Sequence, residues 1–192
     1  MAQTIVVSAP AFSCHVLTFK EGFLSSVAHD LKLRVERCRL ELRNKDEQET
    51  ADLSENTFIS AFFDPKSVRV VCARRDGRDQ PDALSADQKA EIEQRIQKDV
   101  LHTDRFPEIR FVSTNIHRRP NGFEVAGELF LHGERKNAKG QIHGRDDAWM
   151  CEVSLHQPQF GIRPYSALLG TLRIKPDVIV SASLPRNPKP AT

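Results

Sequence analysis

From Leu31 onward apolar and polar residues alternate: Leu31, Leu33 and Val35 are interleaved with Lys32, Arg34 and Glu36. Successive side chains of an extended chain point to opposite faces, so this alternation predicts a strand with one buried and one wet face. After Glu36 the apolar phase shifts, to Cys38, Leu40 and Leu42. A change of phase inside a continuous strand pattern predicts a bulge, and with it a long, curved segment. Polar residues from Arg43 to Asn56 predict a loop, Thr57 to Phe63 a strand ended by Asp64-Pro65, and Ser67 to Ala73 another short strand.

Arg74 to Leu84, rich in Asp, Arg and Pro, predicts a loop. Ser85 followed by Gln88 is a capping-box pattern, and Ile92, Ile96 and Val100 recur every four residues. Together they predict one helix, Ser85 to Leu101, with a single apolar stripe, ending before Phe106-Pro107. Alternation then returns in Ile109 to Ile116, Phe123 to Leu131, Lys139 to Gly144, Trp149 to Leu155, Leu168 to Ile174 and Val178 to Leu184. Turn residues separate these runs at Pro120-Asn121-Gly122, Gly133, Arg145-Asp146-Asp147 and Lys175-Pro176-Asp177. So many strands with one helix predict an all-β fold, either a sandwich or an up-and-down barrel. No linker divides the chain, so residues 1–184 are expected to form one domain and the Pro-rich residues 185–192 a flexible tail.

Composition narrows the function classes. Lys+Arg (28) and Asp+Glu (26) nearly cancel, and a net charge of +2 gives no average attraction for nucleic acid or an anionic membrane. The pairs Arg74-Arg75 and Arg118-Arg119 are expected in solvated loops. Cys14, Cys38, Cys72 and Cys151 stand singly, without metal-ligand spacing, and are expected to be reduced thiols. Met1 to Ser13 lacks the charged start and apolar core of an export signal, and no apolar run is long enough for a membrane span. A cytoplasmic location is expected.

Three stretches carry a family resemblance. They are Asp99-Val100-Leu101 with Phe106-Pro107-Glu108-Ile109-Arg110-Phe111-Val112-Ser113, then Gly122 to Gly133 ending in His132-Gly133, and Phe160-Gly161-Ile162. Val27-Ala28-His29-Asp30-Leu31 matches more loosely. In these stretches the chain resembles the YceI-like family. The resemblance implies an extended antiparallel, lipocalin-like β-barrel with one α-helix packed on or across it, enclosing an apolar channel for a polyisoprenoid or isoprenoid-quinone-like lipid. Glu134-Arg135-Lys136 and Gln157-Pro158-Gln159 depart from the residues usual in the family at those places.

The candidate chemistry is sparse. His29 and Asp30 open a strand, where His29 could anchor a ligand oxygen or act as a base oriented by its neighbour; the alternative is a backbone hydrogen bond for His29 and a capping role for Asp30. His132 and His143 could meet across a hairpin, yet strand parity puts His132 on the polar face. Neither HxH nor HExxH spacing occurs, so no metal and no cofactor is expected. The ligand-binding candidates are His29, Leu31, Leu33, Val35, Phe111, Val125, Leu129, Leu131 and Phe160, with Phe123, Trp149, Cys151, Val153 and Leu155 sharing the inner face. The expected function is non-catalytic binding of a hydrophobic small molecule. The alternatives are an enzyme acting on a hydrophobic substrate through His29 and Asp30, and a solid barrel whose helix docks a protein partner.

Overall fold

The phase change at Glu36 marks a bend in a long strand. A computed structural model describes residues 4–21, 29–44, 53–167 and 172–186. In it only Glu36 and Arg37 separate β4 (Asp30–Val35) from β5 (Cys38–Asn44). Two other strands bend likewise. β1 (Thr4–Ser8) resumes after a turn as β2 (Ser13–Thr18). The next pair is β6 (Thr57–Phe63), which passes through the 3₁₀ turn Pro65–Ser67 into β7 (Val68–Arg75). On one side of the bends β1 pairs with β5 and β5 with β6; on the other, β2 pairs with β4 and β4 with β7.

Hydrogen bonds carry this pairing around the corner. The Ala9 amide donates to the Cys38 carbonyl (3.2 Å), Asp64 to Arg37 (2.9 Å) and Glu36 to Ser67 (3.1 Å). The fully buried Ser67 hydroxyl accepts from the Arg37 amide and donates to the Asp64 carbonyl. An Arg37–Asp64 ion pair of 2.7 Å closes the corner on its solvent side.

The rest of the chain supplies β3 (Lys20–Glu21), β8 (Arg78–Gln80), α1 (Ala86–Arg95), β9 (Ile109–Arg119), β10 (Gly122–Leu131), β11 (Glu134–Arg145), β12 (Ala148–His156), β13 (Ser166–Ala167), β14 (Leu172–Ile174) and β15 (Asp177–Pro185). The main sheet runs β1-β5-β6-β9-β10-β11-β12-β15-β2-β4-β7-β8. Both ends of this order are halves of the same three bent strands, so the sheet returns on itself. The three bent strands with β9, β10, β11, β12 and β15 form an eight-stranded antiparallel barrel. β13, β14 and β3 make a separate small sheet.

α1 begins at a full capping box: the Ser85 hydroxyl accepts from the Gln88 amide while the Gln88 side chain accepts from the Ser85 amide. It continues as a π-helical turn, Ile96–Val100. Among the described residues, most of the β7 edge has no strand beside it, and unpaired edge groups must find partners. α1 supplies them. Glu93 accepts from the Val70 amide (2.8 Å) and Lys89 donates to the Val71 carbonyl (3.0 Å), while just before the strand Gln97 of the π-helical turn donates to the Lys66 carbonyl of the 3₁₀ turn (3.1 Å). Ile92, Ile96 and Leu101 pack on the main core, while Val100 and Leu101 pack on a smaller cluster containing Leu129 and Leu131. The helix thus covers the gap between β7 and the β9–β10 pair.

Several local expectations are corrected. β1 and β2 precede the first predicted strand. The expected loop Arg74 to Leu84 contains a hairpin, because Asp76 and Gly77 both take positive φ (51° and 76°) and turn β7 into β8. Arg74-Arg75 and Arg118-Arg119 end strands β7 and β9 rather than lying in loops. β11 is longer than Lys139 to Gly144, and of the predicted strand Leu168 to Ile174 only Leu172–Ile174 is seen, since 168–171 lie outside the described residues. Pro185 ends β15, and Arg186 is held by Asp147 through its amide (2.8 Å) and by Trp149 under its guanidinium, so the expected tail does not begin at 185.

Candidate functional site

The inward residues of the barrel do not meet. They enclose a cavity of about 680 Å³, within the range of small-molecule sites. A barrel of eight strands lies at the size where the interior is either filled by side chains or left to hold a ligand. The void favours the second of these over a solid barrel.

The predicted parity is borne out by burial on β4, β5 and β10, where Leu31, Leu33, Val35, Cys38, Leu40, Leu42, Phe123, Val125, Leu129 and Leu131 are all buried. Of the predicted site residues, His29, Leu31, Leu33, Val35, Phe111, Val125, Leu129 and Leu131 border the cavity. Phe160 does not. It is buried behind the wall, in the cluster with Leu129, Leu131 and Ile162. The alternation of β12 also holds, with Trp149, Cys151, Val153 and Leu155 on the cavity. Sequence reasoning missed Phe12, Cys14 and Val16, which come from the unpredicted β2 region, and the helix residues Ile92, Ile96 and Val100 as lining groups. For the helix, the period-four stripe was the available signal, since it had to face something apolar.

The lining is mostly apolar, with Phe12, Phe63, Phe111 and Trp149 among aliphatic side chains, and apart from Lys139 and Ser183 its polar groups gather towards the end where β4 starts and β2 stops. Thr18 lies opposite Leu31 in the ladder, which makes it a diagonal neighbour of His29 on the inner face. Among the described residues, the Thr18 hydroxyl is buried without a partner. Such a group costs free energy until something bonds it. Gln88, Glu91 and Arg95 of α1, with Gln157 and Tyr165, also border the cavity. Arg95 pairs with Glu91 at 2.8 Å and donates to the Tyr165 hydroxyl at 3.1 Å. That leaves the Tyr165 O–H to donate elsewhere. The Glu91–Arg95 pair brings no net charge to this end.

Among the described residues, the two thiols on the cavity are not prepared as nucleophiles. Burial, helped by Cys38 and Cys151, pushes the Cys14 thiol up to about 12, and burial pushes Cys151 up to about 11. Both border the cavity as neutral, apolar groups. Asp30 spends Oδ1 on the Lys20 amide (2.8 Å), tying β3 to β4, which favours the capping reading of this residue. Among the described residues no group of three or more His, Cys, Asp or Glu is placed to hold a metal ion.

His132 and His143 do not meet. Gly122 pairs with His143 and Leu131 with Glu134, so the two histidines sit at opposite ends of the β10–β11 ladder. His132 instead occupies the turn, with φ 54°, followed by Gly133 at 81°. There its ring lies 4.2 Å from that of Phe106 and bonds His102 and the Phe160 carbonyl. Strand parity could not place it, because a two-residue turn with positive φ ends the alternation.

The family model described as YceI-like domain matches residues 38–184. No curated protein matches the sequence. Among solved structures, BcnA of Burkholderia cenocepacia is similar at 12% identity and a TM-score of 0.58, over 90% of this chain and 94% of that one. A Campylobacter jejuni YceI protein is similar at 11% identity and a TM-score of 0.57, over 84% and 87%. A polyisoprenoid binding domain from Saccharophagus degradans gives 11% identity and a TM-score of 0.54, over 95% and 97%. The bent-strand barrel with its covering helix is thus the fold these proteins share, and with its sequence match over most of its length the chain belongs to the YceI-like family.

Proposed function

We propose that this protein binds an isoprenoid-class lipid without catalysing its conversion. The chain of the lipid occupies the barrel, and a neutral oxygen-bearing head lies at Thr18 and His29, within reach of Tyr165. The observation that carries this reading is the largely apolar cavity of about 680 Å³. The relative from Saccharophagus degradans, a polyisoprenoid binding domain, supports the ligand class. At about 30 Å³ per non-hydrogen atom, the share of a water molecule in the liquid, the volume suits a ligand of about 20–25 such atoms. The partnerless Thr18 hydroxyl and the neutralised Glu91–Arg95 pair favour an alcohol, phenol or quinone head over a phosphate or carboxylate. Binding rather than catalysis is favoured by thiols raised well above neutrality and by a carboxylate already engaged by backbone.

The experiment is native mass spectrometry of the purified protein, followed by solvent extraction and identification of the bound lipid, with titration of the delipidated protein by farnesol and by farnesyl phosphate. One-to-one binding, with farnesol at least as tight as the phosphate, is the expected result. Failure of any apolar probe to bind overturns the reading, and turnover of a bound lipid overturns its non-catalytic part.

A further inference from the structure

The outer face of the barrel carries a row that the chain order conceals. Arg39 on β5 lies opposite Phe62 on β6, Phe62 opposite Arg110 on β9, Arg110 opposite Phe130 on β10, and Phe130 opposite Arg135 on β11. At the usual strand spacing this alternating row is roughly 19 Å long. The Phe62 ring is flanked by the guanidiniums of Arg39 and Arg110, 4.5 and 4.9 Å from its centroid. Arg43 extends the positive face along β5, opposite Phe58. Among the described residues, two carboxylates answer these four cations: Glu41 lies 3.3 Å from Arg39 and 3.6 Å from Arg43, and Glu128 lies 3.7 Å from Arg135. Among the described residues, Arg110 has no carboxylate partner. Two cations beside one ring, of which Arg110 stands between two phenylalanines without a carboxylate, form a surface that an anionic plane would complete.

We infer that the row Arg39–Phe62–Arg110–Phe130–Arg135 docks the barrel on an anionic lipid bilayer. This rests on the lipid-binding reading above, because the row backs the barrel wall: Ile109 and Leu131, each next in sequence to a row residue, border the cavity. Guanidiniums reach phosphates while phenylalanine edges enter the interfacial region, and each basic side chain near such a surface adds to the attraction. Single-stranded nucleic acid fits less well, since bases stack on free aromatic faces and those of Phe62 are flanked by guanidiniums. The near-zero net charge of the chain gave no hint of this surface, because strand register, not sequence proximity, gathers the charges.

The test is co-sedimentation of the full chain with vesicles of phosphatidylcholine alone and of phosphatidylcholine mixed with phosphatidylglycerol. The parent is expected to bind the anionic vesicles more than tenfold better, and to release them in high salt. The triple variant Arg39→Gln/Arg110→Gln/Arg135→Gln is expected to lose this preference, while the charge-matched control Arg75→Gln/Arg78→Gln/Arg145→Gln keeps most of it. Loading with N-phenylnaphthylamine, a neutral apolar dye, checks that the barrel is intact: the row variant takes up dye like the parent. Dye uptake without preference for anionic vesicles overturns the docking surface and leaves the cavity reading standing. Equal losses in both triple variants, or row-dependent binding of a single-stranded oligonucleotide in preference to vesicles, also overturn it.

Discussion

Nδ1 of His102 lies 3.0 Å from Nε2 of His132, joining the segment that leaves the helix to the β10–β11 turn. The second nitrogen of His132 faces the Phe160 carbonyl at 3.1 Å, and a carbonyl only accepts. His132 therefore carries its proton on Nδ1, and Nε2 accepts from the His102 N–H. Adding a proton to His132 turns the acceptor into a second donor, so the contact then requires His102 to give up its own Nδ1 proton.

This arrangement makes stability depend on pH in a definite direction. Burial lowers the His132 pKa from its ordinary 6.5, with His102 and Arg105 adding to the effect and the Phe160 bond and Glu134 opposing it. A base with a lowered folded pKa takes up its proton first in the unfolded chain. Its stabilisation is therefore present above about pH 6.5 and is lost as the pH falls through the folded value. His15 shifts the same way, through burial and the charges of Lys32 and Arg34 against that of Asp79. The Tm is expected to fall from about pH 7.5 to 5, and His132→Asn, which tolerates the positive φ, to show a shallower fall. An unchanged slope in His132→Asn would remove the pair from this account.

The helix is attached to the barrel partly through backbone groups. Glu93→Ala leaves the Val70 amide without its acceptor, and an unpaired donor at a buried site costs about 1–3 kcal/mol. Glu93→Gln keeps an acceptor oxygen and should cost much less. Hydrogen exchange read at Val70 is expected to accelerate strongly in the alanine variant and little in the glutamine one. Equal protection in both variants would show that the helix is held by its apolar stripe alone.

Much of the wall was legible in the sequence because period-two alternation is a local signal. Parity placed Leu31, Leu33, Val125 and Leu129 on the inside, and the break at Glu36 located a bend. What alternation does not encode is which strand lies beside which. The pairing of β1 with β5 and of β2 with β15 depends on contacts far apart in the chain, as does the arginine and phenylalanine row. The His102–His132 contact depends on two backbone positions with positive φ, 46° and 54°, one ending the helical segment and one in a hairpin turn. The void itself depends on barrel geometry, which no pattern of apolar residues specifies.

The cysteines give an independent reading of cavity occupancy. All four are free thiols, and Cys14 and Cys151 border the cavity whereas Cys72 does not. With its pKa pushed up to about 11 by burial, Cys151 is a poor nucleophile near neutrality. Alkylation of the native protein by N-ethylmaleimide at about pH 8 should be slow, and farnesol should slow it further at Cys151, several-fold, without changing the rate at Cys72. Peptide mass spectrometry reads each site. Equal protection of both cysteines would mean that the ligand acts by stabilising the whole fold.

Leu33→Trp and Leu131→Trp test whether the interior is open. Both leucines are buried and border the cavity. Forcing extra volume into a filled core typically costs about 1–3 kcal/mol, because neighbouring side chains must leave their preferred rotamers. Where a cavity faces the side chain, the indole has somewhere to go. At least one of the two variants is expected to unfold within about 1 kcal/mol of the delipidated parent while losing farnesol affinity by more than tenfold. His29→Ala should weaken farnesol by less, since a neutral hydrogen bond contributes about 0.5–1.5 kcal/mol net and each buried methylene about 0.8 kcal/mol. Calorimetric titration and denaturant unfolding measure the two quantities separately. Loss of several kcal/mol in both tryptophan variants, with farnesol affinity of the folded variants no weaker than the parent's, would mean that the void closes in solution and that the lipid binds elsewhere.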